Sequence, residues 1–285
     1  MWGIAPLYFK LLTSVPALEI VMHRIVWSVL VLCLLIFARK KFRQVFNAIR
    51  DPKIIGTLAI SGLLLAVNWL IFIWAVNNDQ MLDASLGYFI NPLFNVLLAR
   101  LFLQESLSRL QLLAVLVALA GVAFLIFSYG QIPWIALALA ISFSIYGLLR
   151  KKVAVDSMPG LLIESCIMLP FALLYWLFMD TSSGNMLLNS SDLNITLMLA
   201  GVVTTAPLLC FTAAARRIRY TTLGFFQYIG PSLMFLLAVL LYKEPLDSSR
   251  IVTFVLVWSG LFIYVYDSLR VYRKSRKLVQ EPLVP

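Results

Sequence analysis

Ionisable side chains interrupt the long apolar runs of this chain at two places. Glu19, His23 and Arg24 lie together near the start of one run. Glu164 lies near the start of another. A charged group inside a membrane helix is costly, so it usually serves transport or proton transfer. Glu19 and His23 are four residues apart and share one helix face, and His23 is the group that can titrate near neutral pH.

Two interpretations of these groups are open. In the first, Glu19 lies near the lipid headgroups and Arg24 extends its charge to the interface. In the second, Glu19, His23 and Arg24 form an outer gate or proton site. Glu164 then takes the matching place near the opposite membrane face, as a proton or cation site or as a structural hydrogen-bond partner. Lys10 could pair with Glu19 or meet an anionic substrate.

Polar and aromatic side chains at the middle of four apolar runs could line a central cavity. Asn91 and Asn95 are four residues apart, and Tyr88 lies three residues before Asn91, so all three share a face. Pro92 interrupts the backbone hydrogen bonds there. Interhelical hydrogen bonding is the alternative role for each residue. The predicted cavity residues are Asn68, Trp69, Tyr88, Asn91, Asn95, Thr205, Gln227 and Tyr228. Their amide-rich character favours an uncharged or zwitterionic solute.

The sequence predicts no cofactor and no metal site. It has one histidine and three cysteines (Cys33, Cys166 and Cys210), which fall in apolar runs without metal-ligand spacing. A P-loop lysine motif is absent, so ATP is not expected to be the direct energy source. The nucleophile and zinc motifs of common hydrolases are absent as well, which argues against an intramembrane enzyme.

The composition is that of an integral membrane protein. Apolar residues make up 62% of the 285 residues and charged residues 13%, with a mean hydropathy of +0.94. Soluble domains have about 45–50% apolar and about 25% charged residues. Because the alternating pattern of an outer-membrane barrel is missing, the membrane spans are predicted to be helices.

Ten membrane helices are predicted. Nine apolar runs approach the length of about 20 residues that a bilayer requires. The apolar segment 1–12 is only about half as long, so we interpret it as the second half of a first helix and expect roughly 15–20 residues upstream of Met1. The nine runs are 18–38, 54–76, 84–103, 110–127, 132–149, 159–179, 193–215, 221–242 and 251–268.

An internal repeat divides these helices into two halves. The sequence Leu-Gly-Tyr-Phe at 86–89 returns as Leu-Gly-Phe-Phe at 223–226. Pro92, Glu105 and Gly121 return in register as Pro231, Glu244 and Gly260. We expect a five-helix half at 1–130, a second at 131–268, and a basic tail at 269–285. Because five is odd, the second half enters the membrane inverted, as in many carriers. Glu105 and Glu244 are predicted to be helix-end caps or ion-pair partners.

The basic residues predict the orientation. Most of the 23 lysines and arginines lie in the segments 39–53, 100–109, 150–152, 216–219 and 270–277, which fall on one side of the membrane. That side is predicted to be cytoplasmic, with both termini there. The net charge of +10 is therefore a signal of topology, and no nucleic-acid partner is expected.

Five motifs resemble those of a known family. They are Trp-Gly-Ile-Ala-Pro at 2–6, the Glu to His-Arg segment at 19–24, and the segments at 68–77, 84–92 and 223–231. Together they resemble the RarD-type permeases, in the EamA branch of the drug/metabolite transporter superfamily. The resemblance implies ten helices in two inverted five-helix repeats, a bacterial inner (cytoplasmic) membrane, and transport of a small solute.

The sequence therefore predicts a secondary carrier that works by alternating access. Its partners would be a small metabolite or drug-like substrate and membrane lipid, and its driving force would be protons or exchange. An ion channel and an intramembrane enzyme are the alternative functions. The oligomeric state, including a homodimer, is left open.

Overall fold

Helices form nearly all of the protein in the computed structural model, which describes residues 2–130, 133–179, 181–243 and 248–280. No residue of these ranges lies in a strand. Two short 3-10 turns, Trp2–Ile4 and Lys10–Leu12, flank the first α-helix. The α-helices are α1 (Ala5–Phe9), α2 (Ala17–Ala38), α3 (Phe42–Ile49), α4 (Pro52–Asn77), α5 (Met81–Leu103), α6 (Arg109–Tyr129), α7 (Trp134–Lys152), α8 (Ser157–Phe178), α9 (Ser191–Arg217), α10 (Tyr220–Gln227), α11 (Ile229–Leu240) and α12 (Ser248–Gln280).

Eight of the described helices are long and apolar enough to cross a membrane, which confirms an all-helical membrane protein. They are α2, α4 to α9 and α12, and each covers all or most of one of the predicted runs. The other two predicted spans differ from continuous helices. Residues 2–12 form the short helix α1 between two 3-10 turns, and the run 221–242 is divided into α10 and α11. The break lies at Tyr228, because Pro231 has no N–H to donate to the carbonyl of Gln227.

The amphipathic helix α3 was not predicted. Phe42, Phe46 and Ile49 are exposed on it, between basic residues, as in a helix that lies at a membrane surface. Its buried Ala48 packs with Val153 and Ile163, next to the start of α8. The segment was read only as a basic loop, because eight residues are too few to show a helical period.

Serine and aspartate side chains fix the starts of several helices. Asp51 accepts hydrogen bonds from the backbone N–H groups of Lys53 and Ile54 at the start of α4. Ser108 and Gln111 form a reciprocal capping box at the start of α6. Such caps satisfy backbone donors that a helix leaves unpaired.

Glycines let neighbouring helices approach closely. A Cβ on Gly260 of α12 would lie 2.6 Å from the carbonyl oxygen of Ala114 on α6. A Cβ on Gly121 of α6 would lie 2.9 Å from Cβ of Leu256 on α12. On α5, a Cβ on Gly87 would lie 2.9 Å from a carbonyl oxygen of α7. Small residues at such contacts are typical of membrane helix pairs.

The helices enclose one main apolar cluster, and polar groups run through it. Residues of α2, α4, α7, α8 and α9 supply most of this cluster. Large apolar side chains cover the outer surfaces of the same helices, where lipid would contact them. Helix α2 packs on α8 and α9, and α4 packs on α7 and α8. The candidate site lies among these helices.

We expect Gly260→Ala to destabilise the protein by about 1–3 kcal/mol, because the new methyl group must push the backbone of Ala114 away. The control is Gly56→Ala, since a Cβ on Gly56 has nothing within 4 Å. Chemical unfolding in detergent measures both variants. Equal stability of the two would show that α6 and α12 do not depend on this contact.

We expect Glu105→Ala to cost about 0.5–2 kcal/mol, since the carboxylate caps α10. It accepts the N–H of Tyr220 (2.7 Å) and the N–H and hydroxyl of Thr221 (3.1 and 2.8 Å). Partial burial opposes ionisation, but these hydrogen bonds and the charge of Arg219 outweigh it and lower the pKa of Glu105.

The sign of the pH dependence follows from that lowered pKa. The cap contributes fully above the ordinary glutamate pKa, about 4.3, and its contribution is lost as the pH falls through the lower pKa of the folded state. The difference between the wild type and Glu105→Ala should therefore be constant near neutral pH and shrink in acid. A difference that grows in acid would contradict the role of the ionised carboxylate.

Candidate functional site

A narrow polar cavity lies among α2, α4, α8 and α9. Arg24 and Ser28 of α2, Glu164 of α8 and Thr205 of α9 line it, together with aliphatic side chains. Its volume of about 20 Å³ is close to what a single water molecule needs. The cavity therefore brings two predicted gate or proton residues, Arg24 and Glu164, to one predicted cavity residue, Thr205.

Glu164 is held by groups from two other helices. It is 2% exposed, and it accepts a hydrogen bond from the hydroxyl of Ser61 on α4. Its Oε1 also lies 3.4 Å from Nη1 of Arg150. Its Oε2 has no hydrogen-bond donor among the described residues. A Cβ on Gly62 of α4 would lie 3.5 Å from the Cβ and the backbone oxygen of Glu164, so the two helices lie close together here.

Arg150 is a functional candidate that the sequence analysis missed. It is 0% exposed, and its Nη2 donates to the carbonyl of Ser157 at 3.2 Å. The guanidinium fits against Gly160, where a Cβ would lie 2.1 Å from Nη1. Because Arg150 directly precedes Lys151, it was interpreted as part of the basic topology signal. A glycine ten residues later was the only hint of its burial.

Arg24 is buried and not extended to the interface. It is 6% exposed, and its guanidinium carbon lies 4.7 Å from the ring centre of Trp69. Within the described part of the chain it has neither a hydrogen-bond acceptor nor an ion-pair partner. The stacking on Trp69 gives this aromatic residue, a predicted member of the cavity, a direct contact with the charged cluster.

Glu19 and His23 fasten the connection between α8 and α9. Glu19 accepts the backbone N–H groups of Ser182 and Ser183 at 3.0 and 2.9 Å, and both of their hydroxyls. His23 Nε2 lies 3.2 Å from the Ser183 hydroxyl, and its ring packs on Trp176. These contacts close the bundle at the end where α2 begins, which we call the Glu19 end.

Lys10 lies at the Glu19 end but does not meet Glu19. It pairs with Asp79, just past α4, at 2.5 Å. The ion pair of Lys10 with Glu19 is therefore absent from the described structure, where Asp79 takes that place.

Ion pairs also close the opposite end, where α8 begins, which we call the Asp156 end. Asp156 accepts Arg216 of α9 at 2.7 Å and Lys41, just past α2, at 3.3 Å. Slight burial opposes its ionisation, but the hydrogen bonds and charges of these two cations prevail and lower the pKa of Asp156.

Most predicted cavity residues lie elsewhere, in a network against α7. Asn91 donates to the carbonyl of Ala140 and the hydroxyl of Ser144, at 3.2 and 3.1 Å. Asn95 donates to the amide oxygens of Asn91 and Gln227. The structure thus links Asn91, Asn95 and Gln227 through side-chain hydrogen bonds, which was the alternative role left open for each.

The remaining predicted cavity residues are also placed around this network. Asn68 donates to the carbonyl of Leu139 and the hydroxyl of Ser142 on α7. Tyr88 packs edge-on against Phe72. The hydroxyl of Tyr228 is buried with no hydrogen-bond partner among the described residues. The eight predicted residues are therefore divided between the charged cavity and this amide network.

Glu105 and Glu244 occupy matching positions in the repeat, and both were predicted to be helix-end caps or ion-pair partners. Glu105 caps α10 and lies 3.7 Å from Arg219. It therefore fastens α10, a helix of the second predicted half. Glu244 lies outside the described residues.

Comparisons with known proteins agree with this architecture. A solved crystal structure superimposes with a TM-score of 0.69 over 92% of each chain, at 18% identity, which shows a shared fold. Protein RarD of Escherichia coli is 50% identical over 278 residues, which are 97% of this chain and 94% of that protein.

Other relatives align over nearly the same length. A protein of Vibrio cholerae called an uncharacterized transporter is 52% identical over 97% of this chain and 92% of its own. The chloramphenicol-sensitive protein RarD of Pseudomonas aeruginosa is 31% identical, over 95% and 92%. The model of the EamA-like transporter family matches residues 1–127 and again residues 132–266. Eight helices of the described residues are long and apolar enough to cross a membrane, and the chain is thus a membrane transporter that belongs to the EamA-like transporter family and is of the RarD type.

Proposed function

We propose that this transporter is a secondary carrier that moves a small solute by alternating access. The observation that carries the proposal is the buried charged cluster of Arg24, Arg150 and Glu164. It lies where helices of the two proposed halves meet, α2 and α4 from the first with α8 and α9 from the second. A site near the bilayer midplane between two repeats is the usual construction of such carriers.

The inverted repeat that alternating access requires has three kinds of support. The family model matches two successive stretches of the chain. The contact of α2 with α9 is accompanied by that of α4 with α8, its counterpart when the halves are exchanged. Gly121 and Gly260, which are repeat counterparts, each face the helix of the other. We propose the two five-helix halves on these grounds.

Closure at both ends supports a gating role for the polar residues there. At the Glu19 end, the carboxylate of Glu19 holds Ser182 and Ser183. At the Asp156 end, Lys41 and Arg216 converge on Asp156. Exposed ion pairs such as those of Asp156 contribute about 0–1 kcal/mol each, so the Asp156 end can open at small cost. We place the basic Asp156 end and both termini in the cytoplasm, in an inner membrane, by the distribution of basic residues.

Proton coupling is proposed for Glu164. Its ionised form accepts from Ser61 and lies beside Arg150, while its Oε2 has no donor among the described residues. Loss of the negative charge would release Arg150 from its partner, so protonation and the arrangement of α4, α7 and α8 are linked. Exchange of two solutes is the alternative driving force.

Counterflow in proteoliposomes tests the carrier proposal. A thermal-shift screen of the detergent-purified protein against a metabolite and antibiotic library first supplies a ligand, since a ligand at 100 times its Kd stabilises by about 2.7 kcal/mol. A carrier then gives saturable uptake that is accelerated by unlabelled solute on the opposite side. Uptake that rises linearly with concentration, without counterflow, would indicate a channel instead.

We expect Glu164→Gln to abolish the pH dependence of transport while the protein still folds. The glutamine keeps an acceptor for Ser61 but carries no titratable group. Uptake rates measured across a pH series in proteoliposomes give the result, with size-exclusion chromatography as the check on folding. An unchanged pH profile would contradict the proton site.

We expect Asn91→Ala and Gln227→Ala to weaken substrate affinity by about tenfold, the effect of losing roughly one hydrogen bond of 1.4 kcal/mol. Both residues belong to the amide network, and Gln227 also lines an open cavity of about 290 Å³ beside Trp2 and Phe211. Substrate titrations measure the change. Asn47→Ala is the control, because Asn47 is exposed on the surface helix α3. Titration curves that match the wild type in both variants would place the cavity elsewhere.

A further inference from the structure

We propose that Arg24 binds an oxyanion, a carboxylate or phosphate group, on the solute that the carrier moves. This inference rests on the proposed carrier function and adds the class of substrate. It differs from the uncharged or zwitterionic solute that the amide residues of the sequence favoured.

The charges around the cavity do not balance. Arg24 and Arg150 supply two positive charges, and Glu164 supplies one negative charge. Glu164 lies against Arg150, at 3.4 Å, so that pair is internally compensated. Arg24 keeps a full positive charge that is 94% withdrawn from solvent. Buried charges in proteins are paired with another charge or with a ligand, because an unpaired ion in a low-dielectric medium is very costly.

The one carboxylate found to act electrostatically on Arg24 in the described chain, Glu164, is shared with Arg150. Glu19 is five residues earlier on the same helix, but Ser182 and Ser183 engage both of its oxygens. Arg24 has no ion-pair or hydrogen-bond partner in the described chain, and its Nε is fully buried. A bound anion would supply the missing acceptor.

The surroundings of Arg24 suit an oxyanion. Trp69 covers one face of the guanidinium at 4.7 Å, so the donors at its edge remain for a ligand. Arginine presents these donors as a planar fork that matches a carboxylate or phosphate. The same cavity contains the hydroxyl of Ser28, which accepts from Thr205 at 3.0 Å. Its own hydrogen has only the long contact to the Thr204 hydroxyl, at 3.5 Å, and can turn to an anion instead.

An apolar groove beside the cavity suggests what else the anion carries. The groove lies between α2, α4 and α8 and has a volume of about 520 Å³. Aliphatic side chains line it, on the side of these helices that would face lipid. It shares Ile25, Ala66 and Met168 with the polar cavity. A small amphiphilic monoanion could therefore place its charged group at Arg24 and its apolar part in the groove.

Binding to the purified full-length chain tests the site directly. Thermal unfolding in a neutral detergent is followed with acetate, benzoate and methyl phosphate, and with the neutral amides acetamide and benzamide. We expect at least one oxyanion to stabilise the protein in a saturable way, and neither amide to do so. No saturable effect from any oxyanion, or equal effects from benzoate and benzamide, would overturn the proposal.

Variants then assign the effect to Arg24. We expect Arg24→Gln to weaken oxyanion binding by about tenfold or more, the usual effect of losing a hydrogen bond to a charged group. The control Arg100→Gln removes an exposed arginine of α5 and should bind as the wild type does. Unchanged affinity in Arg24→Gln would overturn the proposal.

A second variant covers the case in which Arg24→Gln does not fold. Glu164→Gln removes the one carboxylate among the described residues that line the cavity, so it should bind the oxyanion as tightly as the wild type or several-fold more tightly. Weaker binding in this variant would contradict an anion site.

Two further measurements are needed. One distinguishes a lipid phosphate from a free anion, and the other distinguishes failure of the Arg24 site from failure of the carrier proposal. Competition by phosphatidylglycerol, but not by phosphatidylcholine, would identify a lipid phosphate as the occupant of the Arg24 site. Arg24-dependent binding without counterflow of the same labelled anion would refute the carrier and leave the site. Counterflow of a solute without any Arg24-dependent oxyanion binding would refute the site and leave the carrier.

Discussion

The cost of an ion in hydrocarbon is the constraint on which the middle of this protein depends. Glu164 can remain buried because Ser61 donates to it and Arg150 lies beside it. Arg150 fits only because Gly160 has no side chain at the contact. A methyl group there would displace the guanidinium, and the carboxylate would lose its compensating charge. Gly160 of α8 is thus needed for Arg150 to compensate the charge of Glu164.

Apolar run length and proline chemistry were enough to predict most of the fold. Eight predicted runs are continuous helices, because a span of that length satisfies all of its backbone hydrogen bonds internally. Pro231 was visible in the repeat, yet only the structure shows that it divides its run at Tyr228. Helix α3 escaped prediction because it lies at the surface, where short amphipathic helices resemble basic loops.

The hydrogen-bond partners of the side chains were harder to predict than the depth of the residues in the membrane. Asn91 and Gln227 were correctly expected inside membrane helices, but their partners depend on how each helix is rotated about its axis. Ser144 of α7 accepts a hydrogen bond from Asn91, and nothing in its sequence context distinguishes it from other helical serines. Arg150 was hidden for the opposite reason, since a basic residue at a helix end normally indicates topology. Only the contact with Gly160 separates the two roles.

The strengths of these interactions differ along the membrane normal in a way that suits a carrier. At the two ends, Asp156 and Lys10 form pairs that solvent screens, so each contributes little and can break separately. Inside the bundle, the contact of Glu164 with Arg150 is desolvated, and separating it would leave two uncompensated charges. A conformational change should therefore open one end while this buried pair stays together. A ligand or a proton that alters the charge beside Glu164 and Arg150 can shift the conformational equilibrium. It acts on the ion pair whose disruption would cost the most free energy.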